Sequence, residues 1–195
     1  VPIYRLNLLQ QYRGPQGNVR LDKLGGTRWA KTRKKVKDAM IQMAHRLLEV
    51  QARRSTLSGF AIDPPDQNFR AFEAQFAYEE TPDQHSAIEK VIDDLTAEKP
   101  MDRVVCGDVG FGKTEVAIRA TLLTILGGYQ AAVLVPTTVL AEQHGATFRE
   151  RLEAEGVRVE VLNRFRKPAE IKTIVEHVRE GKVDVLIGTH RILSQ

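Results

Sequence analysis

Gly107-Asp108-Val109-Gly110-Phe111-Gly112-Lys113-Thr114 fits the pattern G-x-x-x-x-G-K-S/T, and the sequence on either side supplies the setting that this pattern needs. Glycine permits the tight backbone bends by which such a loop wraps phosphate oxygens. The helix that follows aims unpaired N–H groups and its positive dipole end at the same anions. In that reading Gly107, Asp108, Val109, Gly110, Phe111 and Gly112 form a nucleoside triphosphate cradle, with Glu115 just inside the helix. Lys113 contacts the β- and γ-phosphates, and the Thr114 hydroxyl holds Mg²⁺. Upstream, Met101 to Cys106 is a short apolar run suited to a buried strand. Downstream, Val116, Ile118, Leu122, Leu123 and Leu126 fall at helical spacing. Strand, loop and helix in that order separate a phosphate loop from an ordinary glycine-rich turn.

The alternation continues downstream. Strand-like runs at Val104 to Cys106, Ala131 to Val135, Arg158 to Leu162 and Val183 to Ile187 are separated by helix-like runs at 113–127, 138–155 and 168–180. This predicts an α/β fold with a parallel sheet, helices on both faces, and ligands at the carboxyl ends of the strands. Four polar loops are thereby expected on one rim: the phosphate loop, Pro136-Thr137-Thr138, Asn163-Arg164-Phe165 and Gly188-Thr189-His190. Before them, Thr81 caps a helix with Pro82 at its first position and Ala87, Ile88, Val91, Ile92 and Leu95 on its apolar face. Ser55 to Gln67, with Gly59, Pro64 and Pro65, reads as a connector. Asn68 to Gln75 forms a short helix, and a second domain begins near Phe69.

The amino-terminal part differs in character. Residues 1–56 hold 13 Lys/Arg against 3 Asp/Glu, a net of +10, whereas residues 57–195 hold 16 against 22, a net of −6. A basic segment beside a nucleotide site points to nucleic acid or an acidic protein surface, with a merely solvated basic helix as the alternative. Leu24-Gly25-Gly26-Thr27 stops the chain and restarts it as a helix reaching about Arg54, with Thr27 as N-cap. Trp29, Val36, Met40, Met43, Leu47 and Val50 recur at spacings of 7, 4, 3, 4 and 3, while Lys31, Arg33, Lys34, Lys35 and Lys37 crowd its first half. Such a stripe is read as docking onto a neighbouring domain, without a cofactor. Val1 to Tyr12 is mostly apolar and Arg13 to Asn18 is turn-rich. Opening on Val, the stretch reads as the trailing edge of a small domain that precedes it, or as a short native arm.

A chain of 195 residues buries one sizeable core and a small appendage. No run of about eighteen apolar residues and no signal-peptide pattern occurs, so a cytoplasmic protein without a membrane partner is expected. Cys106 is the single cysteine, which excludes an intrachain disulfide, and it is expected to pack at the end of a buried strand. The five histidines, at 45, 85, 144, 177 and 190, show no paired metal-ligand spacing.

TPDQ (81–84), GDVGFGKT (107–114), VPTTVLAEQH (135–144), NRF (163–165) and IGTH (187–190) occur in an order that resembles the first motor domain of superfamily 2 DNA translocases of the RecG and Mfd group, the latter being transcription-repair coupling factors. KLGG (23–26), Trp29, the basic helix and Gly59-Phe60 resemble the segment that joins a polymerase-interaction domain to the motor in the coupling factors. VPIYRLNLL (1–9) resembles the end of that domain's small β-barrel. The resemblance implies a barrel remnant over 1–22, a basic linker helix and connector over 23–67, and a motor domain over 68–195.

Carried over position by position, the resemblance implies ATP and Mg²⁺ as cofactors, with Lys113 and Thr114 at the reacting phosphates. Gln84 reads the adenine edge, for which its amide has both donor and acceptor. Phe76 stacks on the base, and Arg164 flanks it from the other side, although the family usually has Ser where Asn163 stands here. The alternatives are an anchor for the connector at Phe76 and a plain helix residue at Gln84. Pro136, Thr137, Thr138, Gln143, Gly188, Thr189 and His190 correspond to motifs that contact DNA, where small hydroxyls and backbone N–H groups suit phosphate contacts that do not read bases. Each threonine reads equally as a helix cap, and Thr138 as both. Asp108 reads as orienting the loop or a magnesium-bound water, with capping and surface roles equally open.

The implied function is a fragment of an ATP-dependent double-stranded DNA translocase that displaces stalled RNA polymerase and engages a UvrA-type repair protein. The alternatives are a RecG-like branched-DNA helicase and a polymerase-binding module without motor activity. A motor also needs an acidic box for Mg²⁺ and water, and an arginine from a second domain. No D-E-x-H or D-E-A-D sequence occurs before Gln195, so the expectation is a segment that ends before its DEEH-like box and is inactive by itself.

Overall fold

The computed structural model describes Ile3, Tyr4, Leu9 and residues 25–193. Most of the barrel remnant, the turn at 13–18 and the Lys23-Leu24 half of KLGG lie outside the described residues. Two compact units are present, Val1–Arg53 and Arg54–Gln195.

In the first unit the long helix α1 begins at Thr27 itself, which is therefore helical and not the residue before the helix, and runs Thr27–Thr56. None of its residues is buried, so the stripe from Trp29 to Val50 is an exposed apolar face.

The second unit contains α2 (Gln67–Ala74), α3 (Pro82–Thr96), α4 (Lys113–Leu126), β1 (Ala131–Leu134), α5 (Thr138–Leu152), β2 (Val159–Leu162), α6 (Pro168–Arg179) and β3 (Val185–Gly188). The helices start where local chemistry satisfies their first N–H groups. The Asp66 carboxylate accepts from Phe69 N–H at 2.9 Å, and Thr81 forms a reciprocal capping box with Gln84. The Thr137 hydroxyl, not that of Thr138, caps α5 by accepting from Leu140 N–H at 3.2 Å.

The strands are parallel in the order β1-β3-β2, with Leu134, Gly188 and Leu162 in register. Period-2 alternation sends Val133, Val185, Ile187, Val159 and Val161 to one face. There they join Phe69, Phe72, Ile118, Leu122, Leu123, Phe148 and Leu152 in the main core. The other face is covered less completely than expected: Leu162 and Ile174 are buried, but Leu134 of the outer strand β1 is 53% exposed.

Two expectations fail at Met101 to Cys106. The run is not a strand, and Cys106 is exposed. A strand exists only beside a hydrogen-bonding neighbour, and no described segment forms a ladder with this one. Met101 and Val105 instead pack on Ile88, Val91 and Val116, while Val104 is 83% exposed. Conversely, the connector belongs to the body of the second unit. Ile62 is buried in the main core, its N–H donates to Leu95 O at 2.9 Å, and Arg54 pairs with Asp102 at 3.0 Å.

Candidate functional site

The phosphate loop ends on two left-handed glycines, Gly110 (φ 87°) and Gly112 (φ 66°), and Gly112 is the N-cap of α4. With no Cβ, Gly112 reaches that conformation without strain, and it offers no side chain to cap the helix. No side chain caps the first-turn N–H groups of α4, as suits anion binding, although that of Glu115 donates to Gly112 O at 2.9 Å. Lys113 bends over the loop, its ammonium donating to Gly107 O at 2.6 Å and Asp108 O at 2.5 Å. Thr114 lies half-buried beside it, while Val109 at the tip is fully open.

Gln84 ties this loop to α3. Its Oε1 accepts from Thr81 N–H at 2.8 Å, and its Nε2 donates to Phe111 O at 3.0 Å. One amide hydrogen and one oxygen lone pair remain after these bonds. A Cβ on Gly112 would sit 2.5 Å from Gln84 Nε2, so glycine there also permits the approach of the amide.

Phe76, Gln84, Gly110, Phe111, Gly112, Thr114 and Glu115 line a single cleft of about 900 Å³, together with Tyr78 and with Thr147, Glu150 and Arg151 of α5. Phe76 and Gln84, which only the resemblance joined to the loop, therefore meet it in space, whereas Gly107, Asp108, Val109 and Lys113 are not among the lining residues. Arg164 is not among the lining residues. It is exposed on the loop after β2, with its guanidinium 5.2 Å from the Phe165 ring.

Beneath the cleft lies a charge cluster that sequence reasoning missed. Arg119, 2% exposed, meets Glu115 at 3.0 Å, Glu73 at 3.3 Å and Glu80 at 2.6 Å. Charge attraction holds the Nη2 pair with Glu80. Arg151 shares Glu115 at 3.1 Å, donates to Phe72 O at 3.0 Å, and lies 3.8 Å from the Phe72 ring centre. Glu115 is thereby neutralised and does not oppose an anion at the start of α4. Burial works to raise the Glu80 carboxyl, but Arg119 and His85 outweigh it and hold the group below its usual range. A depressed carboxyl stabilises the fold above its unfolded value, so this contribution is present at neutral pH and fades as pH falls through the lowered value. The available signal was Glu115 and Arg119 at i and i+4; the partners on α2 and before α3 are too distant in sequence for periodicity to join them.

At the carboxyl rim, the register places the loops 136–138, 163–165 and 188–190 at one end of the sheet. The phosphate loop, expected as a fourth, is not carried by a strand of this sheet. Pro136, Thr137 and Gln143 are exposed, Thr138 and Thr189 half-buried, and His190 opens a short 3-10 turn. Asn163 is fully buried. Its Nδ2 donates to Glu142 at 2.6 Å and its Oδ1 accepts from Phe165 N–H at 2.9 Å, fastening the loop after β2 to α5. A Cβ on Gly188 would collide with the Leu162 carbonyl oxygen and lie 2.6 Å from Ile192, so packing by itself demands glycine there.

Residues 81–195 match the DEAD/DEAH box helicase family, and the chain belongs to that family. Across all of its length it is similar to transcription-repair-coupling factors: 50% identical over 195 residues to that of Myxococcus xanthus, 48% to that of Haemophilus influenzae and 45% to that of Escherichia coli. The chain spans only 16 to 17% of the length of these relatives. Among solved structures, RecG bound to a three-way DNA junction is similar, with a TM-score of 0.69 and 33% identity, covering 73% of this chain and 20% of that one. The fold is thus α/β with a phosphate loop, of the RecA-like kind found in helicase motors.

Proposed function

We propose that this chain is part of an ATP-dependent double-stranded DNA translocase whose full-length form displaces stalled RNA polymerase, engages a UvrA-type repair protein and works in the cytoplasm. One observation carries the reading: similarity to transcription-repair-coupling factors extends over the entire chain, the basic amino-terminal part included. In this assignment residues 1–22 end a polymerase-interaction domain, 23–67 link it to the motor, and 68–195 belong to the first motor domain.

The cleft fits ATP. Phe76 offers a ring face to the base, and the free amide hydrogen and lone pair of Gln84 match the donor and acceptor of the adenine edge. The loop N–H groups, the start of α4 and Lys113 would hold the phosphates and the Thr114 hydroxyl a Mg²⁺, which would supply charge neutralisation there. Pro136, Thr137, Thr138, Gln143, Gly188, Thr189 and His190 are assigned to DNA phosphates. Arg164, which the resemblance sets beside the adenine, is carried on the loop after β2 and is not among the residues that line the cleft.

The likeness to a RecG structure favours, as a second reading, a branched-DNA helicase. Given ATP and a halted transcription complex, the full-length protein is expected to release the polymerase. Branch migration of a three-way junction with no release would favour the second reading, and polymerase capture without ATP-dependent release would reduce the protein to an interaction module.

A further inference from the structure

We propose that Arg119 is a positioning residue that clasps the base-side wall of the cleft to the phosphate-loop helix and so sets affinity for the base of a nucleotide. The proposal rests on the nucleotide reading of the cleft.

The wall is the segment Gln75 to Glu79, all five residues of which line the cleft. At its start the backbone bonds are local, Gln75 N–H to Phe72 O and Phe76 N–H to Glu73 O. Longer-range attachment comes from Gln75, whose Nε2 donates to Glu155 at 3.5 Å, and chiefly from charge. Glu73 stands just before the wall and Glu80 just after it, and both carboxylates converge on the Arg119 guanidinium. Arg119 belongs to α4, the helix that starts at Lys113, and its third carboxylate, Glu115, is shared with Arg151 of α5. The Arg119 and Arg151 guanidiniums lie 5.4 and 5.8 Å from the Phe76 ring centre. One buried fork therefore fixes how far Phe76 stands from the element that would hold the phosphates.

A guanidinium suits such a junction because five donors in a rigid plane can face three carboxylates at once, which a lysine ammonium cannot do with the same directionality. Buried ion clusters add little net stability compared with apolar packing, whereas they define geometry sharply, so a role in placement explains the cluster better than a role in stability.

The test uses the full-length protein, with ATP and inorganic tripolyphosphate, which has no base, as probes. Arg119→Lys and Glu80→Gln are compared with wild type; Glu80 is partly exposed, so its variant keeps the test open if Arg119→Lys fails to fold. Each variant is expected to raise the KM for ATP about tenfold with kcat changed less than about twofold, while competition by tripolyphosphate stays unchanged. Equal weakening of ATP and tripolyphosphate, a fall in kcat without a change in KM, or no change at all would overturn the proposal. If wild type binds neither probe, the nucleotide reading itself falls, and the clasp with it.

Discussion

Lys113→Ala in the full-length protein is expected to lower ATP turnover by about three orders of magnitude, while DNA binding without nucleotide changes less than about twofold. Lys113 supplies the one ammonium that the loop itself holds over its own carbonyls, at Gly107 and Asp108. In the proposed reading, truncation removes a positive charge from beside the phosphoryl group being transferred. The fold should tolerate the loss: the side chain is exposed, and the start of α4 is set by the left-handed Gly112 and by Glu115 N–H donating to Gly112 O at 2.9 Å. Phosphate release at steady state and a gel shift without nucleotide separate the two effects. Undiminished turnover would remove Lys113 from the reaction.

DNA affinity of the full-length protein should fall by about a thousandfold between roughly 50 and 200 mM salt. Each cation that neutralises a phosphate releases a counterion, so the slope counts lysines and arginines and ignores hydroxyls. Exposed candidates are Lys31, Arg33, Lys34, Lys35 and Lys37 on α1, with Arg164 at the rim. Thr137, Thr138 and Thr189 would add hydrogen bonds that orient the strand but leave the slope unaltered. A flat dependence, measured by fluorescence anisotropy, would contradict phosphate recognition by these cations.

What could be read from the residues depended on how local the cause was. Thr81-Pro82-Asp83-Gln84 carries its own capping chemistry, and the helix begins there. The apolar runs at 131–135, 158–162 and 183–187 became strands because each found a neighbour. Met101 to Cys106 has a similar pattern and no ladder, since pattern reports which side chains seek burial and not which backbone lies alongside. Phe76, Gln84 and the phosphate loop were joined in advance only through resemblance, and their meeting in one cleft depends on tertiary packing. Arg119 was invisible for the same reason: of its carboxylate partners only Glu115 is near in sequence. Gly188 suggested a ligand contact, whereas the close Leu162 carbonyl gives it an independent steric reason.

In the proposed reading of the cleft, backbone N–H groups near Lys113 enclose a polyphosphate. Equilibrium titration of the full-length protein with a non-hydrolysable ATP analogue and Mg²⁺ tests this directly. Saturable binding is predicted for wild type, with clear weakening in Gly112→Ala, where the added Cβ meets Gln84 Nε2 at 2.5 Å in a left-handed backbone. No saturable binding by wild type, or identical binding by Gly112→Ala, would contradict it.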